Sequence, residues 1–406
     1  MVNKCVKRLE VIQRETRASG PKLPPDPQHQ RQRYALGLSL GASSTALLHI
    51  LHEHLRHQRR RGGRTTRWDV IAVHVVDYGH DHDAAAAAAR TEAVLQRYRA
   101  RFPDIEIRTV GLQGSSSAAS TEGAGSGARQ QHWANLLPTA TSRADVRRLL
   151  TRRALLASAA RLGCDALLLG HSTTALAELT LAETAKGRGF ALPWLVNDGA
   201  FPLPSSSYSE EQADMRNLLG LGDGGAPKNE NAEGDDGVAS HVPAADEKST
   251  PAPPQKQQQQ SSIPVYHPLR EHFRKELLVY TDLTTPPLTA LLPPQTPGRG
   301  DGAAVVVSHR DLSIDDVMAR YFGEVEASYP SVVANVVRTT GKLGRRGGGG
   351  GEDDGGDGVV GCGLCGVPLD RTGDERWRGE IGEDEDETAA RIGEALCYGC
   401  ERSTRR

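Results

Sequence analysis

The chain has 406 residues, a formal net charge of −2, 37% apolar and only 4% aromatic residues, with 44 glycines and 23 prolines. Near-neutrality excludes nucleic-acid binding through global basicity, so any such contact has to come from local patches, and the composition implies one ordinary domain diluted by unstructured segments. Six cysteines make no disulfide framework in so long a chain, and no apolar run reaches the ~18 residues of a membrane span. The expectation is a soluble cytoplasmic protein with no membrane partner.

Residues 1–34 are basic and rich in Pro and Gln, and read as a short helix and a linker. The stretch Leu36-Gly-Leu-Ser-Leu-Gly-Ala-Ser-Ser-Thr-Ala-Leu-Leu48 then passes from an apolar run through small residues into a helical pattern. That is how a buried strand hands over to a phosphate-cradling loop and a helix N-terminus. An unliganded strand–turn–helix junction fits these residues equally well. The helix is placed from about Ser43 to Gln58, and its His49, His52, His54 and His57 read as imidazoles on a solvated face, because no carboxylate or cysteine accompanies them at ligand spacing.

Trp68–Asp77 is a β-branched buried strand closed by Asp77-Tyr78-Gly79, Ala84–Arg101 a helix, Ile105–Val110 a third strand, and 113–130 a Gly/Ser/Ala loop. Ser142–Leu162 is expected as a helix with Ser142 as N-cap, Val146, Leu149 and Leu150 on one face, and Arg143, Arg147, Arg148 and Arg152 roughly opposite. Asp165–Leu169 is a fourth strand, leading through Gly170-His171-Ser172 into a helix to about Gly187. Strands alternating with helices predict a doubly wound parallel α/β sheet over 35–201, in which ligands bind at the carboxyl ends of the strands. Ser39–Ser44, Asp77–Gly79 and Gly170–Ser172 therefore converge on one crevice.

From 202 to 262 the composition collapses into Ser, Gly, Pro, Asp and Gln, a disordered insertion. Order resumes over 263–340: Ile263–Arg270, a helix to about Tyr280, a linker before Val305–Val307, and a helical stretch from Ser313 to about Arg338, broken near Pro330. Arg338, Lys342, Arg345 and Arg346 form a basic cluster before a Gly-rich linker at 341–358. Over 359–402, Cys362-Gly-Leu-Cys365 and Cys397-Tyr-Gly-Cys400 form two Cys-x-x-Cys knuckles separated by 31 residues, with the acidic run Glu383–Glu387 between them. Two such Gly-flanked pairs suit a structural zinc ribbon; a redox dithiol is the competing reading.

With these pieces placed, the chain resembles the cytoplasmic tRNA 2-thiolation protein 2 family of the PP-loop ATP pyrophosphatase superfamily. The resemblance is carried by Leu38–Ser44, Val76–Gly79, Leu169–Ser172, Lys186–Gly189, His267–Arg270 with Lys275-Glu276, Tyr329–Val333 with Val337–Thr339, and the cysteine pairs. It implies a PP-loop fold of the adenine nucleotide alpha-hydrolase-like type and a degenerate nucleotide site at Ser39, Gly41, Ser43, Ser44, Asp77, Gly170 and His171. The superfamily loop reads Ser-Gly-Gly-x-Asp-Ser; here its second position is Leu40 and its acidic position Ser43, which makes ATP and magnesium doubtful in this subunit. Thiolating relatives also carry a reactive cysteine just before the helix placed from Ser142, where this chain reads Pro138-Thr-Ala-Thr-Ser142.

The resemblance further implies a heterodimer with a catalytic PP-loop subunit, acting on the wobble uridine of Lys-, Glu- and Gln-type tRNAs. Sulfur would come from a ubiquitin-like thiocarboxylate carrier. This chain would be a non-catalytic, tRNA-binding partner, with Arg143, Arg147, Arg148, Arg152, Arg338, Lys342, Arg345 and Arg346 as candidate phosphate contacts. A solvated face is the alternative for the helix arginines. An active ATP-dependent sulfurtransferase and a zinc-ribbon adaptor are the competing functions.

Overall fold

A computed structural model describes residues 1–19, 31–60, 68–77, 84–112, 137–203, 262–293, 312–345, 361–369 and 396–404. Outside them lie Tyr78, Gly79, the 113–130 loop, most of the insertion, Val305–Val307, Arg346, most of the Gly-rich linker and the acidic run.

The helices and strands are α1 (Val2–Ser19), β1 (Gln32–Gly37), α2 (Ala42–Arg60), β2 (Trp68–Val76), α3 (Ala84–Arg101), β3 (Glu106–Gly111), α4 (Ala140–Arg161), β4 (Ala166–Leu169), α5 (Thr173–Ala185), α6 (Leu192–Leu195), β5 (Gly199–Pro202), β6 (Ser262–Tyr266), α7 (Arg274–Leu283), α8 (Ile314–Ser328), α9 (Pro330–Thr340) and α10 (Tyr398–Thr404). The sheet order is β3-β2-β1-β4-β6-β5. All neighbours are parallel except β5, which joins the edge antiparallel to β6. This is the predicted doubly wound sheet, and its order reverses between β1 and β4, where such folds open their ligand crevice.

Alternation along the strands divides the core. Tyr34, Leu36, Ala166, Leu168 and Tyr266 pack on one face with residues of α1, α2, α3 and α7. Ala35, Leu167, Leu169, Ile263 and Val265 pack on the other with residues of α4, α5, α8, α9 and both cysteine knuckles. Successive side chains point to opposite faces, so one apolar run serves both layers.

Several expectations need correcting. The N-terminal segment is not a separate unit: β1 starts at Gln32, inside the expected linker, and α1 buries Cys5, Leu9 and Ile12 in the core. Arg8 of α1 pairs with Asp198, which also accepts from the His267 amide at 2.9 Å. The α2 histidines are not a solvated face, His57 excepted. His52 is buried against Phe102, His49 bonds the Tyr280 hydroxyl at 2.8 Å, and His54 stacks on Trp68. The N-cap of α4 is Thr139 rather than Ser142, because the Thr139 hydroxyl accepts from the Ser142 amide at 2.9 Å and gains the helix three residues. The Pro330 break is real: α8 is capped by Ser313, and Pro330 opens α9.

A close junction lies at Gly170, just past β4. A Cβ there would lie 2.8 Å from Ser44 Cα and 3.0 Å from its amide nitrogen, so only glycine lets the end of β4 meet the start of α2. Gly170→Ala is expected to lower stability by about 1–3 kcal/mol in chemical denaturation, the usual cost of forced overpacking. An unchanged midpoint would show that α2 is free to move away.

Candidate functional site: the loop after β1 and a four-cysteine cluster

The loop after β1 is anchored on the core by Leu40. Leu40 sits at φ 61°, a left-handed backbone that costs a branched residue about 1–2 kcal/mol. Its side chain is only 9% exposed and belongs to the core. Burying a leucine is worth about 1.5–3 kcal/mol, enough to hold it there. The loop hydroxyls bond one another: Ser39 Oγ is 3.0 Å from Ser44 Oγ, and Ser44 Oγ donates to the Gly41 carbonyl at 3.1 Å. Ser43 is partly exposed and Gly41 exposed at the same turn.

Of the other predicted strand ends, Gly170 packs against Ser44 of the loop, whereas Asp77 lines a cleft that includes neither Ser39–Ser44 nor Gly170–Ser172. His74 Nδ1 donates to the Leu38 carbonyl at 2.7 Å, tying β2 to the loop. Asp77 pairs with Arg147 Nε at 3.2 Å, and both line a cleft of about 290 Å³ with His74, Arg90 and Thr91. His171 follows Gly170 with its ring 5.2 Å from that of His267, whose Nδ1 is 3.0 Å from Asp198 Oδ1. Burial, then His267, Arg152 and Arg148, push the His171 pKa well below its ordinary value, so its imidazole is neutral at pH 7.

The helix arginines do not form one solvated, phosphate-gripping face. Arg147 alone is half exposed. Arg143 donates to the Leu137 carbonyl at 2.9 Å. Arg152 is buried, donating to the Trp194 carbonyl at 3.0 Å with its guanidinium 4.8 Å from the Phe201 ring centroid. Arg148 is bound by Glu183 at 2.5 Å and Asp145 at 3.0 Å. In the second cluster, Arg345 is a structural clip, donating to the Pro193 and Asn197 carbonyls and lying 5.0 Å from the Trp194 ring centroid. Arg338 and Lys342, at the end of α9, are exposed.

Sequence reasoning missed what binds Arg148. Asp145 and Glu183 are fully buried between α4 and α5, where Lys186 meets each at 2.8 Å and Arg188 pairs with both. Asp315 joins from the N-terminus of α8, 3.0 Å from Lys186. Burial alone would raise both carboxyl pKa values, but the surrounding cations outweigh it and lower them. The signal was Lys186-Gly-Arg-Gly189, quoted for the resemblance without a role.

The four cysteines meet. Cys362, Cys365, Cys397 and Cys400 are buried, and their sulfurs all lie within 4.8 Å of one another, Cys365 and Cys397 at 3.9 Å. A tetrahedral ion with bonds of ~2.3 Å needs sulfurs about 3.8 Å apart, so the set fits one metal ion and is tighter than a four-iron cubane requires. The remaining cysteines, Cys5 and Cys164, are buried, and burial pushes both thiols up to about 12. Neither offers a thiolate at pH 7.

Fold and site together define a doubly wound α/β protein with a buried four-cysteine cluster packed against it. A family model described as cytoplasmic tRNA 2-thiolation protein 2 matches residues 313–390. The protein of that name from Phaeosphaeria nodorum is 34% identical over 428 residues, covering 98% of this chain and 86% of its own. The one from Pyrenophora tritici-repentis is 29% identical over 416 residues, with coverage of 98% and 86%. The chain belongs to the cytoplasmic tRNA 2-thiolation protein 2 family. A solved U34-tRNA thiolase, NcsA from Methanococcus maripaludis with its [4Fe-4S] cluster, aligns at TM-score 0.41 and 12% identity over 90% of this chain and 85% of that one.

Glu183→Gln should cost about 3–5 kcal/mol, because it leaves buried cations short of a partner. A carboxylate with a depressed folded-state pKa stabilises fully above its ordinary value of 4.5 and loses that contribution as pH falls below it. The acid limb of the wild-type stability curve should therefore be shallower in Glu183→Gln, as read by denaturation at pH 7 and pH 4.

Proposed function

We propose that the chain is a non-catalytic, tRNA-binding subunit of a cytoplasmic complex that 2-thiolates the wobble uridine of Lys-, Glu- and Gln-type tRNAs. Its partner would be a catalytic PP-loop subunit, with sulfur supplied by a ubiquitin-like thiocarboxylate carrier. The observation that carries the reading is the disposition of thiols and loop together. Four cysteines are gathered in one buried set, the other two are protonated in the core, and Leu40, its side chain in the core, stands where the superfamily loop has glycine. Sulfur transfer needs an accessible thiolate, and adenylation needs a loop whose backbone approaches phosphate. Neither requirement is met by this chain's own residues, so both fall to the partner. Family membership supports the reaction and the compartment; among the described residues no helix is long and apolar enough to cross a membrane.

In this reading Cys362, Cys365, Cys397 and Cys400 hold one zinc ion, which supplies a structural cross-link. Arg338 and Lys342 contribute to the tRNA backbone contact, since they stay exposed while Arg148, Arg152 and Arg345 are consumed internally. Arg147, tethered to Asp77, is the remaining helix candidate. The degenerate positions Ser39, Gly41, Ser43, Ser44, Asp77, Gly170 and His171 turn over no nucleotide.

Nucleoside mass spectrometry of tRNA from cells lacking the gene should show loss of wobble 2-thiouridine; an unchanged level would sink the reading. Arg338→Glu with Lys342→Glu should weaken binding of the complex to all its tRNAs alike and reduce the salt slope by roughly 2, measured between 50 and 200 mM salt. Isothermal titration of the wild-type chain with ATP and magnesium should give a Kd weaker than about 1 mM. Leu40→Gly with Ser43→Asp should tighten it at least about tenfold. Micromolar binding with pyrophosphate release by the wild type would instead favour an active enzyme.

A further inference from the structure

The cysteine centre is interlocked with the α/β domain rather than tethered to it. Gly187 has φ +84°, and a Cβ there would lie 2.6 Å from the Tyr398 ring; a Cβ on Gly399 would lie 2.8 Å from the Lys186 carbonyl oxygen. Two glycines, one on each side, therefore let the loop after α5 and the second knuckle close on each other. Between them sits Arg188, fully buried, its single guanidinium reaching two carboxylates and the Cys400 sulfur. Nε donates to Glu183 at 2.7 Å, one amino group pairs with Asp145, and the other points at Cys400 Sγ at 3.8 Å. The first knuckle is held from α4, where Arg153 donates to the Gly363 and Leu364 carbonyls, and a Cβ on Gly366 would touch the Phe201 ring at 3.4 Å. Ser403 of α10 donates to the same Asp145 at 2.7 Å.

Charge balance makes the contact more than packing. Arg148, Lys186 and Arg188 face the carboxylates of Asp145, Glu183 and Asp315, three cations to three anions, while Arg152 of the same helix is buried on the Trp194 carbonyl. Four thiolates around a divalent ion carry a net charge of about −2, delocalised over sulfurs that Arg188 already addresses. Neutral thiols would leave that face of the guanidinium without an anion in a low-dielectric interior.

We infer that Arg188 is the positioning residue that couples metal occupancy at the four cysteines to the order of the α/β domain, its guanidinium being shared between the α4–α5 carboxylates and the Cys400 sulfur. The inference rests on reading the four cysteines as a single-ion site. Its consequence reaches into the α/β domain: α4 carries Arg147, which holds Asp77, and α5 begins directly after Gly170-His171-Ser172. Losing the metal therefore loosens α4 and α5 with the segments they hold, not merely the C-terminal knuckles.

The test uses the full chain loaded with Zn2+, with metal content measured first. Competition against a chromophoric chelator should show Arg188→Met weakening Zn2+ binding roughly 10–100-fold, the usual effect of removing an outer-shell partner. Arg188→Lys should recover part of the loss, and Arg320→Met, at an exposed ion pair, should match the wild type. Hydrogen exchange on the wild type before and after chelation should show protection lost across 140–161 and 173–185. That second measurement needs no variant to fold. Zn2+ affinity of Arg188→Met within twofold of wild type, or deprotection confined to 361–369 and 396–404, would overturn the coupling while leaving the metal site standing. A wild-type chain that takes up no Zn2+ would overturn the single-ion reading itself.

Discussion

The structure depends on how two carboxylates are kept charged inside it. Asp145 and Glu183 are wholly buried, and an isolated buried carboxylate is costly enough that it ordinarily takes up a proton. Here Arg148, Lys186 and Arg188 surround them, and each cation comes from a different point on α4 or the loop after α5. Such a cluster adds little net stability over an apolar core of the same volume, but removing one member is severe. Its value is register: α4, α5, the start of α8 through Asp315 and α10 through Ser403 are satisfied together in only one arrangement.

The loop after β1 shows the same separation of architecture from ligand. A left-handed backbone is normally given to glycine, and Leu40 adopts it at a cost that core burial repays. The Gly170–Ser44 approach leaves α2 nowhere else to start, so the loop conformation is imposed by the sheet and not by phosphate. The Leu40 side chain is part of the core that fixes the loop.

The strands were legible because alternation and β-branching are local: β2 and β4 fell within a residue of expectation, and the cysteine knuckles were readable from spacing alone. The edge strand β5 was not, being four residues long and paired with a strand that follows it by some sixty positions. The arginines of α4 misled for a physical reason. A basic stripe on an amphipathic helix reads as solvent-facing, and nothing local reveals that Glu183, on the next helix, lies opposite Arg148. The α2 histidines misled likewise, since Phe102, Tyr280 and Trp68 come from three other elements. Pattern shows which face is unusual; only the long-range packing shows what neutralises it.

The fate of the basic side chains also narrows what the chain can offer a partner. A cation already satisfied by a buried carboxylate or a carbonyl gains little from a phosphate, because binding would first break the internal contact. Arg143, Arg148, Arg152 and Arg345 are removed on that ground, and Arg147 is half committed to Asp77. What stays exposed is the end of α9, next to the segment that leads on toward the cysteine centre. The position of this surface is set by α5 and α8, against which α9 packs and which the buried charge cluster locks in place.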